Sequence, residues 1–124
     1  MGIGVDYMLK ARLEDFNTPG SRAFYVKTFT TGEHKEAMLR DDPQTYYAGR
    51  FAAKEAIFKA LNMSSDDARL NEIEIIANTY GQPQVYLRDW TKTYANKQGI
   101  QDVLISITHE TDTVVAFAVA RGNS

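Results

Sequence analysis

Hydrophobic and polar positions change their period several times along this chain, and each change predicts a new element. Residues 2–8 alternate as a short strand does, and Asp6 lies at or near the end of it. Residues 9–16 have helical spacing, and the asparagine, proline and glycine of residues 17–20 predict a break. Helical spacing resumes over residues 21–29. The N-terminal part is therefore predicted to run strand, helix, turn, helix.

Two further helices are predicted in the middle of the chain. Thr30 and Glu33 have the spacing of a capping box in front of a helix over residues 33–40, which Asp41-Asp42-Pro43 ends. The longest helical run follows over residues 45–61 and closes in a polar stretch.

The long helix combines a face of small residues with a charged one. Ala52, Ala56 and Ala60 recur every fourth position, and at about 3.6 residues per turn they form a narrow stripe that lets another backbone come close. Glu55 and Lys59 are four positions apart and therefore lie on one face. An anion and a cation beside such a stripe can hold a metal ion and a phosphate together.

The C-terminal half alternates between strand and helix patterns. The predicted elements are a hairpin of residues 71–77 and 84–87 around the turn 78–83, a helix over residues 89–98 stopped by Gly99, and strands over residues 103–108 and 113–120 joined by residues 109–112. No repeat or linker interrupts this order. The pattern predicts a single α+β domain over residues 1–124, with helices on one side of a largely antiparallel sheet.

Composition narrows the possible classes of protein. The chain has 124 residues, 44% of them hydrophobic and 24% charged, which is ordinary for one folded, water-soluble domain. A net charge of -2 gives no overall sign of nucleic-acid binding, because contact with a phosphate backbone needs many clustered cations. With no cysteine and no long apolar run, we expect no disulfide, no thiolate metal site and no membrane span, and a cytoplasmic location is the simplest.

Two acids are candidates for a metal site. Asp6 and Glu55 carry the hard oxygen ligands that Mg²⁺ prefers, and Mg²⁺ commonly takes one or two protein carboxylates and completes its shell with water and phosphate oxygens. The plainer interpretation makes Asp6 a helix cap and Glu55 a solvated residue paired with Lys59. Lys59 is then a surface cation rather than a phosphate contact. Residue types and spacing alone leave both interpretations open.

Further candidates lie in turns and in a basic N-terminal region. His109 follows an apolar strand and is placed in a turn, so we expect it to be at least partly exposed and able to bind an anion or transfer a proton. Gly81-Gln82-Pro83 is first of all hairpin chemistry, although a glycine there also lets backbone approach a ligand. The basic residues, interrupted by two acids, form either a mixed-charge surface or a docking patch for an acidic protein; they are Lys10, Arg12, Arg22 and Lys27, with Glu14 and Asp15 between them.

Several separated motifs together resemble one family. They are Gly2-Ile3-Gly4-Val5-Asp6, Arg50-Phe51-Ala52-Ala53-Lys54-Glu55-Ala56-Ile57-Phe58-Lys59-Ala60, Gly81-Gln82-Pro83 and Ser106-Ile107-Thr108-His109. In this order they are similar to holo-[acyl-carrier-protein] synthase, the small trimeric type of 4′-phosphopantetheinyl transferase. The likeness covers nearly the whole chain, and the phenylalanine-x-x-lysine-glutamate-alanine core is its most specific part.

The resemblance implies transfer of 4′-phosphopantetheine from coenzyme A to a serine of an apo acyl-carrier protein, with release of adenosine 3′,5′-bisphosphate. It implies that Asp6 and Glu55 hold Mg²⁺ and that Lys59 lies against the attacked phosphate, and these three are the expected catalytic residues. The expected coenzyme A contacts are Arg50, Gly81, Gln82, Pro83 and His109, and the expected carrier-protein contacts are Arg12 and Arg22. The family also implies a homotrimer with active sites between neighbouring subunits.

Two questions stay open at the level of sequence. The base that takes the serine proton is Glu33, Glu55 or a metal-bound water. The alternative function is a noncatalytic module of the same fold that binds coenzyme A or a carrier domain. It is motivated by residues 7–11, which bring no acid after Asp6, and by residues 62–67, which stand in place of a glycine-rich segment.

Overall fold

The computed structural model describes residues 1–13 and 18–122, and the α+β class expected from the sequence is confirmed. The elements in chain order are β1 (Gly2–Leu9), α1 (Arg22–Thr28), α2 (Thr31–Met38), α3 (Pro43–Ala60), β2 (Ile73–Ala77), β3 (Pro83–Leu87), α4 (Asp89–Lys97), β4 (Ile100–His109) and β5 (Thr113–Gly122). Short 3-10 turns occur at Lys10–Arg12, Ser65–Asp67 and Leu70–Glu72. In this described part of the chain, every helix is too short or too polar to cross a membrane.

The strands form two antiparallel sheets rather than the one sheet expected. β1, β5 and β4 lie side by side in that order, and β2 pairs with β3 in a separate hairpin. β3 runs beside β4 without pairing with it. In the larger sheet Asp6 stands opposite Ala116, and His109 stands opposite Val114.

α3 packs on one face of the larger sheet, and two glycines make the contact close. A Cβ added at Gly2 would come within 1.8 Å of the Ala60 carbonyl oxygen, and one added at Gly4 within 1.9 Å of the Ala56 carbonyl oxygen. The alanines of the stripe are buried. The stripe that was predicted to admit another backbone therefore admits β1, and this contact brings Asp6 against the C-terminal half of α3.

The predicted capping box is confirmed at α2. The Thr30 hydroxyl accepts from the Glu33 amide at 3.2 Å, and the Glu33 carboxylate accepts from the Thr30 amide at 2.9 Å. α3 begins earlier than the expected residue 45, because Asp42 caps it and Pro43 occupies its first turn. The acidic and proline residues that were expected to end α2 therefore start α3, and α2 has already ended at Met38.

The helix predicted over residues 9–16 is wrong where the structure describes it. Leu9 is the last residue of β1, Lys10–Arg12 make a single 3-10 turn, and Leu13 returns to extended backbone. The first amide of that turn donates to the Asp112 carbonyl at 2.8 Å, so the chain leaves β1 alongside the β4–β5 turn. Residues 14–17, which include both acids of the predicted helix, lie outside the described residues.

A buried ion pair that sequence reasoning missed ties α2 and α3 to β2. Lys54 Nζ lies 2.8 Å from Glu33 Oε1, and both side chains are completely buried. The ammonium also donates to the Leu70 carbonyl at 2.8 Å and to the Ile73 carbonyl, and Glu33 Oε2 accepts from the Ile75 amide at 2.8 Å. The Glu33 carboxylate is shielded from solvent, and both of its oxygens already have partners. Glu33 is therefore no longer a candidate for the base that takes the serine proton.

The segment after α3 begins with an asparagine in a backbone conformation that favours glycine. Asn62 has φ 58, which is the left-handed conformation. Asparagine tolerates that conformation better than most residues other than glycine. The changed segment over residues 62–67 therefore still ends α3 in the usual geometry.

Candidate functional site

Asp6 and Lys59 meet where β1 crosses α3. Lys59 Nζ donates to Asp6 Oδ1 at 3.0 Å and to the Val5 carbonyl at 3.2 Å. Asp6 lies within β1, on the sheet face that packs against α3, and not at the strand end that was predicted. The Asp6 side chain is 19% exposed and that of Lys59 is 49% exposed. Both charged groups are therefore held by the fold and remain within reach of solvent.

Glu55 is the third group of this cluster, one helical turn before Lys59. Burial raises the pKa of its carboxyl, the negative charge of Asp6 raises it further, and the Lys59 ammonium lowers it. Asp6 acts on Glu55 in this way because the fold brings the two acids near one another. Among the ion pairs of the described residues, Lys59 is joined to Asp6 and not to Glu55, so the solvated Glu55–Lys59 pair of the plainer interpretation does not form.

The donor set of this cluster fits Mg²⁺. Asp6 and Glu55 offer hard oxygen donors. The pKa of Glu55 is raised by burial first and then by the negative charge of Asp6, a repulsion that a bound cation would relieve. Within residues 1–13 and 18–122, no group of three or more histidine, cysteine or acidic side chains could hold a metal ion. Two carboxylates are the protein share that Mg²⁺ commonly takes when substrate phosphates complete its shell.

A cavity of about 460 Å³ lies near the N-terminal half of α3. Most of the residues predicted to contact coenzyme A line it, namely Arg50, Gly81, Pro83 and His109. Gly81 has φ +83, a left-handed conformation that glycine adopts without strain, in keeping with its predicted place in a hairpin turn. His109 is exposed, as predicted, but it is the last residue of β4 rather than part of a turn.

Gln82 does not line this cavity. Its amide donates to the Asn78 side-chain oxygen at 3.0 Å, and its own side-chain oxygen accepts from Asn78 Nδ2 at 3.3 Å. Gln82 thus holds the β2–β3 turn, and it borders a neighbouring cavity of about 620 Å³ between β3, α4 and β4. Its contact with coenzyme A stays a prediction.

Arg50 belongs to a polar cluster in which Glu36 and Tyr46 were missed by sequence reasoning. Arg50 Nη2 donates to Glu36 Oε1 at 2.9 Å, and its Nε donates to the Ile75 carbonyl at 3.0 Å. The Tyr46 hydroxyl donates to the same Glu36 oxygen at 3.0 Å. Burial raises the pKa of Glu36, but hydrogen bonds from Ala77, Tyr46 and Arg50 hold it below its ordinary value overall. The spacing of Tyr46 and Arg50 was the available signal, while Glu36 arrives from another helix.

The acid cluster and the cavity lie on different sides of α3. At about 100° per residue, Arg50 and Glu55 point about 140° apart around the helix axis. The residues that line the cavity include none of Asp6, Glu55 and Lys59. In a single chain, the acid cluster and the cavity are therefore two separate places on the surface.

The predicted carrier-protein contacts both reach solvent. Arg12 lies in the 3-10 turn after β1, and Arg22 is the first residue of α1. Both are exposed. Their contact with a carrier protein stays a prediction.

Comparison with known proteins decides the family. The chain matches a family model described as the 4′-phosphopantetheinyl transferase superfamily over residues 2–118. The chain belongs to this superfamily. A holo-[acyl-carrier-protein] synthase of Desulforudis audaxviator is 37% identical to it over 124 residues, which are 100% of this chain and 95% of that protein.

The proteins that the chain matches differ in length. Fatty acid synthase subunit alpha of Aspergillus oryzae is 35% identical over 123 residues, which are 98% of this chain and only 7% of that protein. The structure of the ACPS-CoA complex of Chronobacterium ammoniagenes matches with a TM-score of 0.85 and 27% identity, covering 98% of this chain and 97% of that one. The chain thus spans nearly all of a stand-alone synthase and a small share of a fatty acid synthase subunit.

Proposed function

We propose that this chain transfers 4′-phosphopantetheine from coenzyme A to a serine of an apo acyl-carrier protein and releases adenosine 3′,5′-bisphosphate. The observation that carries the proposal is the meeting of Asp6, Glu55 and Lys59 where β1 crosses α3. Two relatives support it: one is a holo-[acyl-carrier-protein] synthase, and the other is a structure of an ACPS-CoA complex.

In the proposed reaction the serine oxygen attacks the pyrophosphate phosphorus that carries pantetheine. An oxygen–phosphorus bond forms, the bond from that phosphorus to the bridging oxygen breaks, and its electron pair leaves with adenosine 3′,5′-bisphosphate. Lys59 lies beside the attacked phosphate and stabilises its negative charge, while Asp6 fixes the position of the ammonium. With Glu33 enclosed, the serine proton goes to Glu55 or to water.

Asp6 and Glu55 would hold Mg²⁺ in this reaction. The ion would offset negative charge on the pyrophosphate. Without the ion, Lys59 is the one side chain of this cluster that can do so. Glu55 binds a cation in its ionised form, so its raised pKa, caused by burial first and by Asp6 second, extends to higher pH the range over which protons compete with the metal.

We also propose a homotrimer with active sites between subunits. The larger sheet has an uncovered apolar face opposite α3, made by Ile3 (62% exposed), Val5 (52%), Tyr7 (61%) and Phe117 (44%). A contiguous exposed patch of this kind marks an interaction surface. Assembly is part of the proposal because the acid cluster and the cavity lie on different sides of α3 in one chain, so a neighbouring subunit is needed to bring the two together.

The proposed protein partner is an apo acyl-carrier protein of fatty-acid synthesis. The match to a fatty acid synthase subunit supports that pathway. Arg12 and Arg22 are exposed on the same N-terminal part of the chain and would contact acidic groups of the carrier.

A transfer assay tests the proposal. The chain is incubated with coenzyme A, Mg²⁺ and each of several apo carrier proteins from fatty-acid and polyketide synthesis, and the carriers are weighed by mass spectrometry. We expect the mass of phosphopantetheine to be added to at least one carrier, and not to its serine-to-alanine variant. Coenzyme A binding without any transfer across the set would instead support the noncatalytic module.

A further inference from the structure

The two acids of the cluster where β1 crosses α3 differ in whether they already have a partner. Asp6 Oδ1 accepts a hydrogen bond from Lys59 Nζ at 3.0 Å, and the same ammonium donates to the Val5 carbonyl at 3.2 Å. In the part of the chain that the structure describes, no hydrogen bond or ion pair engages the Glu55 carboxylate. A cation that approaches the cluster therefore finds one carboxylate free and the other already paired.

Lys59 is the member of this pair that can change its partner. Its side chain is 49% exposed, whereas that of Asp6 is 19% exposed and lies on a paired strand, opposite Ala116. A lysine ammonium is a point charge on a flexible stem, and its three donors rotate between acceptors. A partly exposed ion pair of this kind is held weakly. Lys59 can therefore leave Asp6 for a more highly charged anion while the backbone stays in place.

The proposed reaction gives both members of the pair a second task. Lys59 is to lie against the attacked phosphate, and Asp6 is to hold Mg²⁺ together with Glu55. While the two are paired, the ammonium offsets the charge of Asp6 and repels any second cation that approaches the cluster. The three groups are close enough for this, because after burial the charges of Asp6 and Lys59 are what shifts the pKa of Glu55. Metal binding at the cluster therefore depends on where the ammonium lies.

The charges of the cluster indicate what coenzyme A would change. Two ionised carboxylates and one ammonium together carry a single negative charge, which attracts a divalent cation only weakly. A pyrophosphate beside the cluster offers the ammonium more negative charge than Asp6 does, and once Lys59 turns to it both carboxylates are free for a metal ion. We propose that Lys59 exchanges Asp6 for the pyrophosphate of coenzyme A and thereby makes metal binding depend on the coenzyme, an inference that rests on the proposed function.

An ammonium that stayed on Asp6 would act differently. Its charge would weaken metal binding by the same factor with and without coenzyme A, because the repulsion between two fixed charges does not depend on a third charge. An ammonium that moves weakens metal binding only while it lies on Asp6. The exchange is therefore identified by the effect of Lys59 on the coupling between metal and coenzyme A, and not by its effect on either affinity alone.

Mn²⁺ binding to the full chain, followed by electron paramagnetic resonance, tests the exchange, because Mn²⁺ prefers the same oxygen donors as Mg²⁺. Dissociation constants are measured without carrier protein, first without coenzyme A and then with enough of it to saturate each variant, as judged by calorimetric titration. A blank of Mn²⁺ and coenzyme A alone is subtracted.

The wild type is compared with Lys59→Met, Lys59→Gln and Arg88→Met. Arg88 is a matched control, because it pairs with the strand residue Glu74 at 2.7 Å and the two side chains are 55% and 15% exposed, nearly as Lys59 and Asp6 are. Its removal frees an acid that lies outside the acid cluster. Thermal melting of each variant checks that the fold is retained.

We expect Lys59→Met to tighten Mn²⁺ binding about fivefold without coenzyme A and by less than about twofold with it. Lys59→Gln should repeat this result, and Arg88→Met should change neither constant. An equal change under both conditions, or no change, overturns the exchange while leaving the proposed function intact. A folded wild type that binds coenzyme A but binds Mn²⁺ under neither condition overturns both the exchange and the proposed metal site.

Discussion

Lys59 on α3 donates a hydrogen bond across 3.0 Å to the carboxylate of Asp6 on β1, although the two residues are 53 positions apart in the chain. The strand can come this close because glycines stand where a side chain would strike the helix backbone. The glycines of the opening motif and the alanines of α3 thus form one close contact between β1 and α3. This contact sets the distance between Asp6 and Lys59.

Replacement of Gly4 by alanine tests the close contact between β1 and α3. The added methyl group would lie 1.9 Å from the Ala56 carbonyl oxygen, which belongs to backbone and cannot rotate away. We expect the free energy of unfolding to fall by about 1–3 kcal/mol, with loss of transfer because Asp6 moves away from α3. Urea denaturation and the transfer assay measure the two effects. Gly49→Ala is the control, since its methyl group meets only the Ile107 side chain, at 3.3 Å, and should change stability by less than about 1 kcal/mol.

Glu55→Gln should abolish transfer and leave the fold intact. The substitution removes the charge that Mg²⁺ would need but hardly changes the volume, and it also relieves the repulsion by Asp6. Transfer rates over a range of Mg²⁺ concentrations, with thermal melting, check this. Glu110→Gln, at an exposed turn residue, should keep the wild-type rate. A near-full rate for Glu55→Gln at low Mg²⁺ would contradict the role.

Asp6→Asn should lower the pKa of Glu55. Burial first and Asp6 second raise this pKa, so the folded state holds the Glu55 proton more tightly than the unfolded state does. The contribution of Glu55 to stability is therefore fully present below its unfolded pKa and is lost as pH rises through the raised folded value. Removing the Asp6 charge lowers the folded pKa of Glu55 toward its unfolded value, so the pH range between the two becomes narrower. Carboxyl NMR titration of Glu55 should show the shift, and Asp102→Asn, at an exposed acid paired with Arg121, should not produce it.

Lys54→Met should be strongly destabilising. It leaves the buried Glu33 carboxylate without its ammonium, and such broken buried pairs cost about 3–5 kcal/mol. Lys59→Met removes a partly exposed pair and should cost less than about 1 kcal/mol. Denaturant midpoints of the two variants give the comparison. A similar cost for both would show that burial of the Glu33–Lys54 pair is not what makes it important.

Ile3→Asp should break the proposed homotrimer. Ile3 is 62% exposed in the single chain and lies on the apolar face of the larger sheet, where a carboxylate would be forced into the interface. Sedimentation should find a monomer, and transfer should be lost with assembly. Val26 on α1 has the same exposure, 62%, so Val26→Asp is the matched control. The proposal fails if the wild type itself sediments as a monomer that still performs transfer.

Local patterns predicted many elements well and failed where pairing between distant segments decides the outcome. The capping box at Thr30 and Glu33 and the alanine stripe of α3 are confirmed because each depends on residues within a few positions. Residues 9–16 have helical spacing, yet Leu9 extends β1 because it pairs with Thr113 on β5. The single sheet was wrong for a related reason: β3 and β4 approach each other without forming a ladder, and strand composition does not encode that.

The sequence by itself determined the α+β class, because helix and strand periods are local, and its separated motifs resembled a family whose pattern implies Asp6, Glu55 and Lys59 as the catalytic residues. Only the tertiary structure decided that Lys59 forms an ion pair with Asp6 rather than with Glu55. It also decided that Lys54 pairs with the buried Glu33, and that Arg40 and Arg50 both pair with Glu36. These pairings depend on which backbones touch and which groups lose contact with water. Both are properties of the folded chain, set by the packing of β1 and β2 against the helices.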